Sequence, residues 1–571
     1  MIGLIAVTAA GRTAAARLAA AWPGETRSYD GPAATALPRA CHDCDAVVAF
    51  LAVGATVRLL APLLASKHHD PGVVCVDEAL RFAVPVTGAH AGGANDLARR
   101  AAAVLGAEPA ITTASDASGA VALDDFGADL GFTLEPASDL PAVGTAVLSG
   151  ARVTLTADGT WPVPPLPPSV APAEPEPGVP AIIVSDRARP PHDAPTVTYR
   201  PPSLVIGLGA SRGVPPEEIT ALIGQALAAA GLSPRSVRAA ATLDLKQDEP
   251  GLLAAVQAHG WPLTFFSAAD LAEVPVPNPS PTVNAAVGTP SVAEAAALRA
   301  AGQPATLVVP KQISPHATVA VARRPPRGRL AIVGIGPGAR DLLTPRALAE
   351  LRRASIVVGL DQYLGQVEDL LRPGTSIRAS GLGQEQERAE AAVAEAAEGH
   401  AVALIGSGDA GVYAMGSPAL ETADTTIDVI GVPGVTAALA AAAVLGAPLG
   451  HDHTMISLSD LHTPWEIIER RVTAAAEADL VVCFYNPASQ QRDWQLRKAL
   501  AILAGHRPPG TPVGWVRDAT RPGQSAGTAT LAAFDPVVVD MRTLVVVGSS
   551  RTRLVAGRMV TPREYRWAGT S

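Results

Sequence analysis

The stretch LAIVGIGPGARDLLTPRALAEL, residues 330–351, decides how this chain folds. Its opening apolar residues make a buried strand, glycines turn the chain, and Thr344-Pro345 is the cap and first position of a helix. Gly334-Ile335-Gly336-Pro337-Gly338 superficially matches the dinucleotide turn G-x-G-x-x-G, which has an acidic residue about 20 positions on. Asp361, after the apolar run 356–359, completes the decoy. In a dinucleotide turn the helix starts at once, and its N-terminus cradles the pyrophosphate. Here Pro337 and Gly338 postpone the helix to Thr344, which disfavours that reading.

The same strand, small-residue turn and helix recur elsewhere. Residues 2–7 lead through 8–13 into a helix, and 203–206 lead through 207–213 to a helix begun at Pro215, Pro216, Glu217 and Glu218. Residues 402–405 lead to a turn at 406–411. Strands alternating with helices imply an α/β chain of several domains with open, mainly parallel sheets. At 571 residues, more than one core is required. The expected domains are 1–118, a small middle domain with a linker at 119–202, a third at 203–322, and 329–571. Residues 161–180, WPVPPLPPSVAPAEPEPGVP, read as the linker, too Pro-rich for a helix or a central strand.

Bulk properties narrow the function. The net charge of -9 argues against nucleic acid, whose recognition rests on a basic footprint. No apolar run reaches the ~18–20 residues of a membrane span; the nearest, 435–448, is mostly alanine and reads as a buried helix. Residues 1–22 lack a basic n-region, and Arg12 and Arg17 interrupt them, so they read as a strand and helix rather than a signal peptide. Only four cysteines are present, which fits a reducing compartment, and the cytoplasm is expected. Cys41 and Cys44 form a C-x-x-C without a matching second pair, so no metal site is expected.

Further motifs follow the opening stretch in order: SGDAGVYAMG at 407–416, VPGVTAALAAAAVLGAPLGHD at 432–452, ISLSDLHTPWE at 456–466, FYNPASQQR at 484–492, VGSSRTR at 547–553 and MVTPREY at 559–565. With GIGPG they make residues 328–565 resemble the tetrapyrrole methyltransferase family. The run SLSDLHTPWE is similar to its precorrin-3B C17-methyltransferases and their cobalt-substrate counterparts. Ala410 stands where the family usually has Pro, and Ser549 where Asn is common.

The resemblance implies two α/β subdomains with S-adenosyl-L-methionine held between them. It places Pro337 near that cosubstrate, Gly408 and Asp409 in a turn against its methionine part, Thr436 and Ala437 beside it, and Tyr485 at the adenosine. Small residues let backbone groups approach a flat ligand closely, although such glycines also simply close turns. It also implies corrin-ring methylation coupled to ring contraction, which asks for a proton donor or acceptor. Asp460, His451 and Asp409 are the candidates. Asp460 is equally placed to cap a helix start at Thr463-Pro464, and His451 to be a surface residue. A substrate rich in carboxylates needs Arg clamps, with Arg470, Arg471, Arg492, Arg517 and Arg521 as candidates. Family members are commonly dimers, so a homodimer is expected.

The first half carries AVGATVRLLAPLLASK at 52–67, TGAHAGGANDLA at 87–98, GLGASRGV at 207–214, TLDLKQDEPGL at 242–252 and VPKQISPHATVAVAR at 309–323. It resembles cobalt-precorrin-5A hydrolases, with Ala210-Ser211 where that family more often has Cys and a basic residue. Lactone opening asks for a base and a cation for the oxyanion. His90 and Lys246 are the first candidates, with Asp77, Glu78, Asp248, Glu249 and Lys311 behind them. Three functions follow: a methyltransferase joined to a lactone hydrolase, a methyltransferase joined to a non-catalytic tetrapyrrole-binding scaffold, or a nucleotide-binding regulatory protein. No Gly-Lys-Ser/Thr follows either G-x-G turn of the first half, which disfavours nucleotide hydrolysis.

Overall fold

A computed structural model describes residues 1–65, 70–89, 92–113, 119–189, 192–489 and 493–563. The chain divides into two compact units. The first holds Met1–Gly159, Pro164–Pro326 and Arg372–Gly374; the second holds Thr160–Val163, Arg327–Leu371 and the chain from Thr375 onward.

The first unit has three sheets. A six-stranded sheet runs in the order Thr26–Tyr29, Ile2–Ala6, Ala46–Phe50, Gly72–Val76, Phe82–Thr87, Glu108–Pro109. All its pairs are parallel except Gly72–Val76 with Phe82–Thr87, joined by a turn too short for a crossover. The third sheet centres on Leu204–Ala210, flanked by Val237–Leu243 and Ala317–Arg323. Between them in sequence lies a five-stranded sheet that corrects the linker reading. Val170–Pro172, inside the Pro-rich stretch, pairs in parallel with Val153–Ala157 as an edge strand. An edge tolerates proline because one side of the strand needs no N–H donor.

The second unit opens with a five-stranded, all-parallel sheet in the order Ser376–Ser380, Ile356–Leu360, Ala401–Gly406, Arg329–Gly334, Asp428–Val432. Its central strands are apolar on both faces because helices cover both. Leu330 and Ile332 pack with Val402, Leu404 and Ala389 on one face, while Ala331 and Val333 pack with Ala403, Ile405 and Leu351 on the other. The helix expected at Thr344-Pro345 is Pro345–Arg353, with Thr344 Oγ1 accepting from Ala347 N at 3.1 Å. A second five-stranded sheet runs His453–Ser457, Val481–Tyr485, Thr543–Val547, Pro512–Arg517, Ser525–Thr530 and is antiparallel after its first pair. This sheet is a local exception within the mainly parallel architecture; only a short turn separates Pro512–Arg517 from Ser525–Thr530, so those two strands pair as a hairpin. Residues 435–448 contain the helix Ala437–Leu445, with Ala438, Ala440, Ala441, Ala442 and Leu445 buried as expected. Among the described residues no helix is long and apolar enough to cross a membrane.

Candidate active site

Three strands of the parallel sheet, Arg329–Gly334, Ala401–Gly406 and Asp428–Val432, end side by side, and the glycine motifs form the loops that follow them. The loops are tied backbone to backbone. Gly336 N donates to Gly408 O at 3.0 Å, and Gly408 N donates to Gly336 O at 2.8 Å. Gly408 has φ +67°, where a side chain is strained. A Cβ at Gly408 would also sit 3.4 Å from Thr436 Cα and 3.5 Å from Ala437 N, filling the groove between the turn and the helix start.

Asp409 fastens this arrangement. Its Oδ1 accepts Gly411 N at 2.8 Å and its Oδ2 accepts Gly434 N at 3.0 Å. Both oxygens serve loop amides, and the residue does not border the cavity described below. Its geometry is that of a brace, not of a free base.

Tyr485, at the end of Val481–Tyr485, meets the start of Ala437–Leu445. Its hydroxyl lies 2.6 Å from Thr436 Oγ1 and accepts Ala438 N at 2.9 Å. Burial pushes its phenol above the usual tyrosine range, outweighing the hydrogen bonds that favour the phenolate. The Tyr413 ring lies 5.2 Å from that of Tyr485, tilted by 53°.

A cavity of about 2120 Å³ opens over these groups. Pro337, Gly408, Thr436, Ala437 and Tyr485 all border it, as do Tyr413 and Asp460. Gln495, only 1% exposed, donates from Nε2 to Asp460 Oδ2 at 3.0 Å and fixes that carboxylate. His451 does not reach the cavity; it is exposed, and its Nδ1 accepts the amide of Asp452 at 2.8 Å. Thr463-Pro464 does start a helix, Trp465–Glu477, but Pro464 caps it without a side-chain bond, so Asp460 is not its cap.

The five candidate clamps separate. Arg471 and Arg521 border the cavity. Arg521 is a brace as well: Nε donates to Pro337 O at 2.6 Å and Nη2 to Ser407 Oγ at 2.8 Å. Arg517 is turned to Asp540 at 2.8 Å and Asp518 at 3.0 Å, and hydrogen bonding to Asp540 pushes its guanidinium pKa up. Arg470 lies outside the cavity lining. Arg492 lies outside the described residues.

In the first unit His90 lies outside the described residues. Lys246 ends a short 3-10 turn, Asp244–Lys246, and its carbonyl accepts Glu249 N at 3.2 Å. Glu249 is buried, and its Oε1 accepts Gly213 N at 2.9 Å, so this carboxylate holds the 207–213 turn. Asp77 is likewise committed: Oδ1 accepts the amides of Arg81 and Phe82, each at 2.7 Å. Burial opposes its charge, but these amides and Arg81 outweigh that and keep its carboxyl below the usual range. Asp248 is exposed, Glu78 lies in the turn after Gly72–Val76, and Lys311 Nζ donates to Asn278 O at 3.0 Å.

Sequence reasoning missed Gly434, Ser407, Tyr413 and Gln495. The first three lie inside quoted motifs, and only partners far along the chain single them out. Gln495 carries no motif signal at all.

The chain matches four families: cobalamin synthesis G N-terminal at residues 35–116, the cobalamin biosynthesis central region at 121–201, cobalamin synthesis G C-terminus at 204–322, and tetrapyrrole (corrin/porphyrin) methylases at 329–535. A Salmonella typhimurium protein called probable cobalt-factor III C(17)-methyltransferase is 45% identical over 239 residues, covering 41% of this chain and 99% of that protein. The Mycobacterium tuberculosis cobalamin biosynthesis protein CobIJ is 43% identical over 252 residues, 42% of this chain and 49% of its own. This chain thus spans about half of that relative. The solved structure of the methyltransferase CobJ is 39% identical and is covered completely by 41% of this chain, with a TM-score of 0.40.

Proposed function

Since this chain belongs to the tetrapyrrole (corrin/porphyrin) methylases of cobalamin biosynthesis, we propose that its second unit methylates C17 of precorrin-3B or its cobalt counterpart, with contraction of the ring. S-adenosyl-L-methionine would supply an activated methyl group on a sulfonium that leaves as a neutral thioether. The single observation that carries the reading is convergence: Pro337, Gly408, Thr436, Ala437, Tyr485 and Asp460, drawn from across 149 residues of sequence (337 to 485), border one cavity.

The residues fit a flat ligand. The groove at Gly408 is one that a Cβ would fill, and the adjacent helix start is built of small residues. Gly408, Thr436 and Ala437 would hold the cosubstrate through backbone contact, and Tyr485 would border its base. Arg521 and Asp409 fix the loops that carry those contacts. The protein's main work is to align donor and acceptor carbons and to exclude water. Ring contraction needs a proton moved, and we assign that role to Asp460, a carboxylate on the cavity wall whose Oδ2 accepts from Gln495. The substrate is a soluble small-molecule tetrapyrrole, and the enzyme works in the cytoplasm.

For the first unit we propose lactone opening on a later cobalt-bearing intermediate, with Lys246 and His90 as the residues to test. The prior commitment of Asp77 and Glu249 to backbone amides favours the scaffold alternative. A chain that binds the intermediate but opens no lactone would establish that alternative, whereas unchanged opening in Lys246→Ala and His90→Ala would remove those two residues from the reaction.

Calorimetric titration of the full chain with S-adenosylhomocysteine tests the main reading. One saturable site, together with the gain of one methyl group by the tetrapyrrole in a mass spectrum, is the expected result. A folded chain that binds no S-adenosylhomocysteine would overturn it.

A further inference from the structure

Arg388 stands in the helix Glu385–Ala397, is 5% exposed, and borders the large cavity. Its Nε donates to Ser380 Oγ at 2.7 Å, its Nη2 to Gly381 O at 2.7 Å, and its Nη1 reaches Met415 Sδ at 3.4 Å. A guanidinium carries five N–H donors, and a thioether is a weak acceptor. Two donors are left over, and no partner is a carboxylate.

The other buried arginines among the described residues differ in that respect. Arg200 pairs with Glu135 at 2.6 Å, and Arg507 faces Asp479 at 3.8 Å. A buried charge without a counter-charge is strongly unfavourable, and proteins pair it or present it to a ligand. Two acids on the cavity wall each have an oxygen bound elsewhere. Glu385 Oε1 accepts Gly383 N at 3.3 Å, and Glu421 Oε1 accepts Ser417 Oγ at 2.7 Å.

We propose that Arg388 is the receptor for one acetate or propionate carboxylate of the tetrapyrrole substrate. This rests on the methylase reading above. Nη1, whose partner is a sulfur, and Nη2 each have one remaining N–H for the incoming oxygens, while Ser380 and Gly381 hold the guanidinium plane. The ligand supplies the counter-charge that the protein omits. Arg388 thereby contributes to substrate affinity and orientation, not to the methyl-transfer step.

The test uses the full chain and two probes: uroporphyrin, a porphyrin with eight carboxylates, followed by fluorescence quenching, and S-adenosylhomocysteine, followed by calorimetry. Arg388→Gln should weaken uroporphyrin about tenfold or more, the loss of one charge-assisted contact, and leave S-adenosylhomocysteine unchanged. Arg388→Lys should fall between, because a point charge replaces the fork. Met415→Glu puts a carboxylate beside Nη1. It should block uroporphyrin to a similar extent while raising Tm, and it keeps the test alive if Arg388→Gln does not fold. Wild-type affinity for uroporphyrin in both Arg388→Lys and Met415→Glu would overturn the proposal, and so would parallel loss of S-adenosylhomocysteine. Failure of the wild-type chain to bind S-adenosylhomocysteine is a separate result, and it would remove the methylase reading itself.

Discussion

The Tyr485 hydroxyl lies 2.6 Å from the Thr436 hydroxyl and accepts the amide of Ala438, so a tyrosine from one sheet caps the helix that Thr436 begins. Thr436 occupies the N-cap position but makes no capping bond itself. The strand Val481–Tyr485 and the start of Ala437–Leu445 are thereby fixed relative to each other at the edge of the cavity.

Tyr485→Phe should therefore loosen the site without opening a large void. The Ala438 amide loses its acceptor, and Thr436 loses its partner. A destabilisation of about 1–3 kcal/mol is expected in chemical denaturation, with weaker S-adenosylhomocysteine binding. Wild-type values for both would show that the hydroxyl is dispensable.

The raised phenol pKa of Tyr485 has a pH signature. Folding favours the neutral form. Its contribution is complete below the unfolded value of about 10 and is lost as pH rises through the higher folded value. S-adenosylhomocysteine binding should thus be insensitive to this group from neutral pH to about 10. Ultraviolet titration of wild type minus Tyr485→Phe should place the difference tyrosinate signal above the ordinary range, and a signal at the ordinary value would contradict the burial argument.

Gly434 is a packing requirement. A Cβ there would lie 2.1 Å from Gly408 O, whereas one at Gly431 would meet nothing within 4 Å. Gly434→Ala should force the 406–411 and 432–436 loops apart and destabilise the unit by roughly 1–3 kcal/mol, with cosubstrate binding lost. Gly431→Ala should melt close to wild type. Equal melting temperatures for the two variants would remove the close-approach explanation.

Arg521 joins the Pro337 loop to Ser407 from 184 residues away in sequence. Arg521→Gln should raise the KM for S-adenosyl-L-methionine about tenfold, the equivalent of one charge-assisted hydrogen bond. A change confined to kcat would point instead to direct work on the tetrapyrrole.

Asp460 and His451 separate under turnover assays. Asp460→Asn should lower kcat by about 10²–10⁴, the usual range for a lost acid–base group, with S-adenosylhomocysteine affinity retained. His451→Gln should leave turnover at the wild-type level, since the ring lies outside the cavity. The reverse ranking would transfer the proton role to His451.

The sequence by itself determined the strand, turn and helix at 330–353, the helix starts at Thr344 and Pro216, and the alternation that buries both faces of the parallel sheet. These are local signals: a cap, a proline and a run of β-branched residues act through neighbours a few positions away. The ordered motifs also named the loops that come together. What each side chain does there was decided by the tertiary structure alone. Asp409 becomes a brace because Gly434 N, 25 residues on, points at its Oδ2. Arg521 becomes a brace because Pro337 O lies in front of its Nε, while Arg388 keeps two donors free because Ser380, Gly381 and the Met415 sulfur take only three of its five N–H groups. A motif fixes which groups are present; whether a carboxylate or guanidinium faces the cavity or is spent on the fold depends on partners that only folding brings within 3 Å.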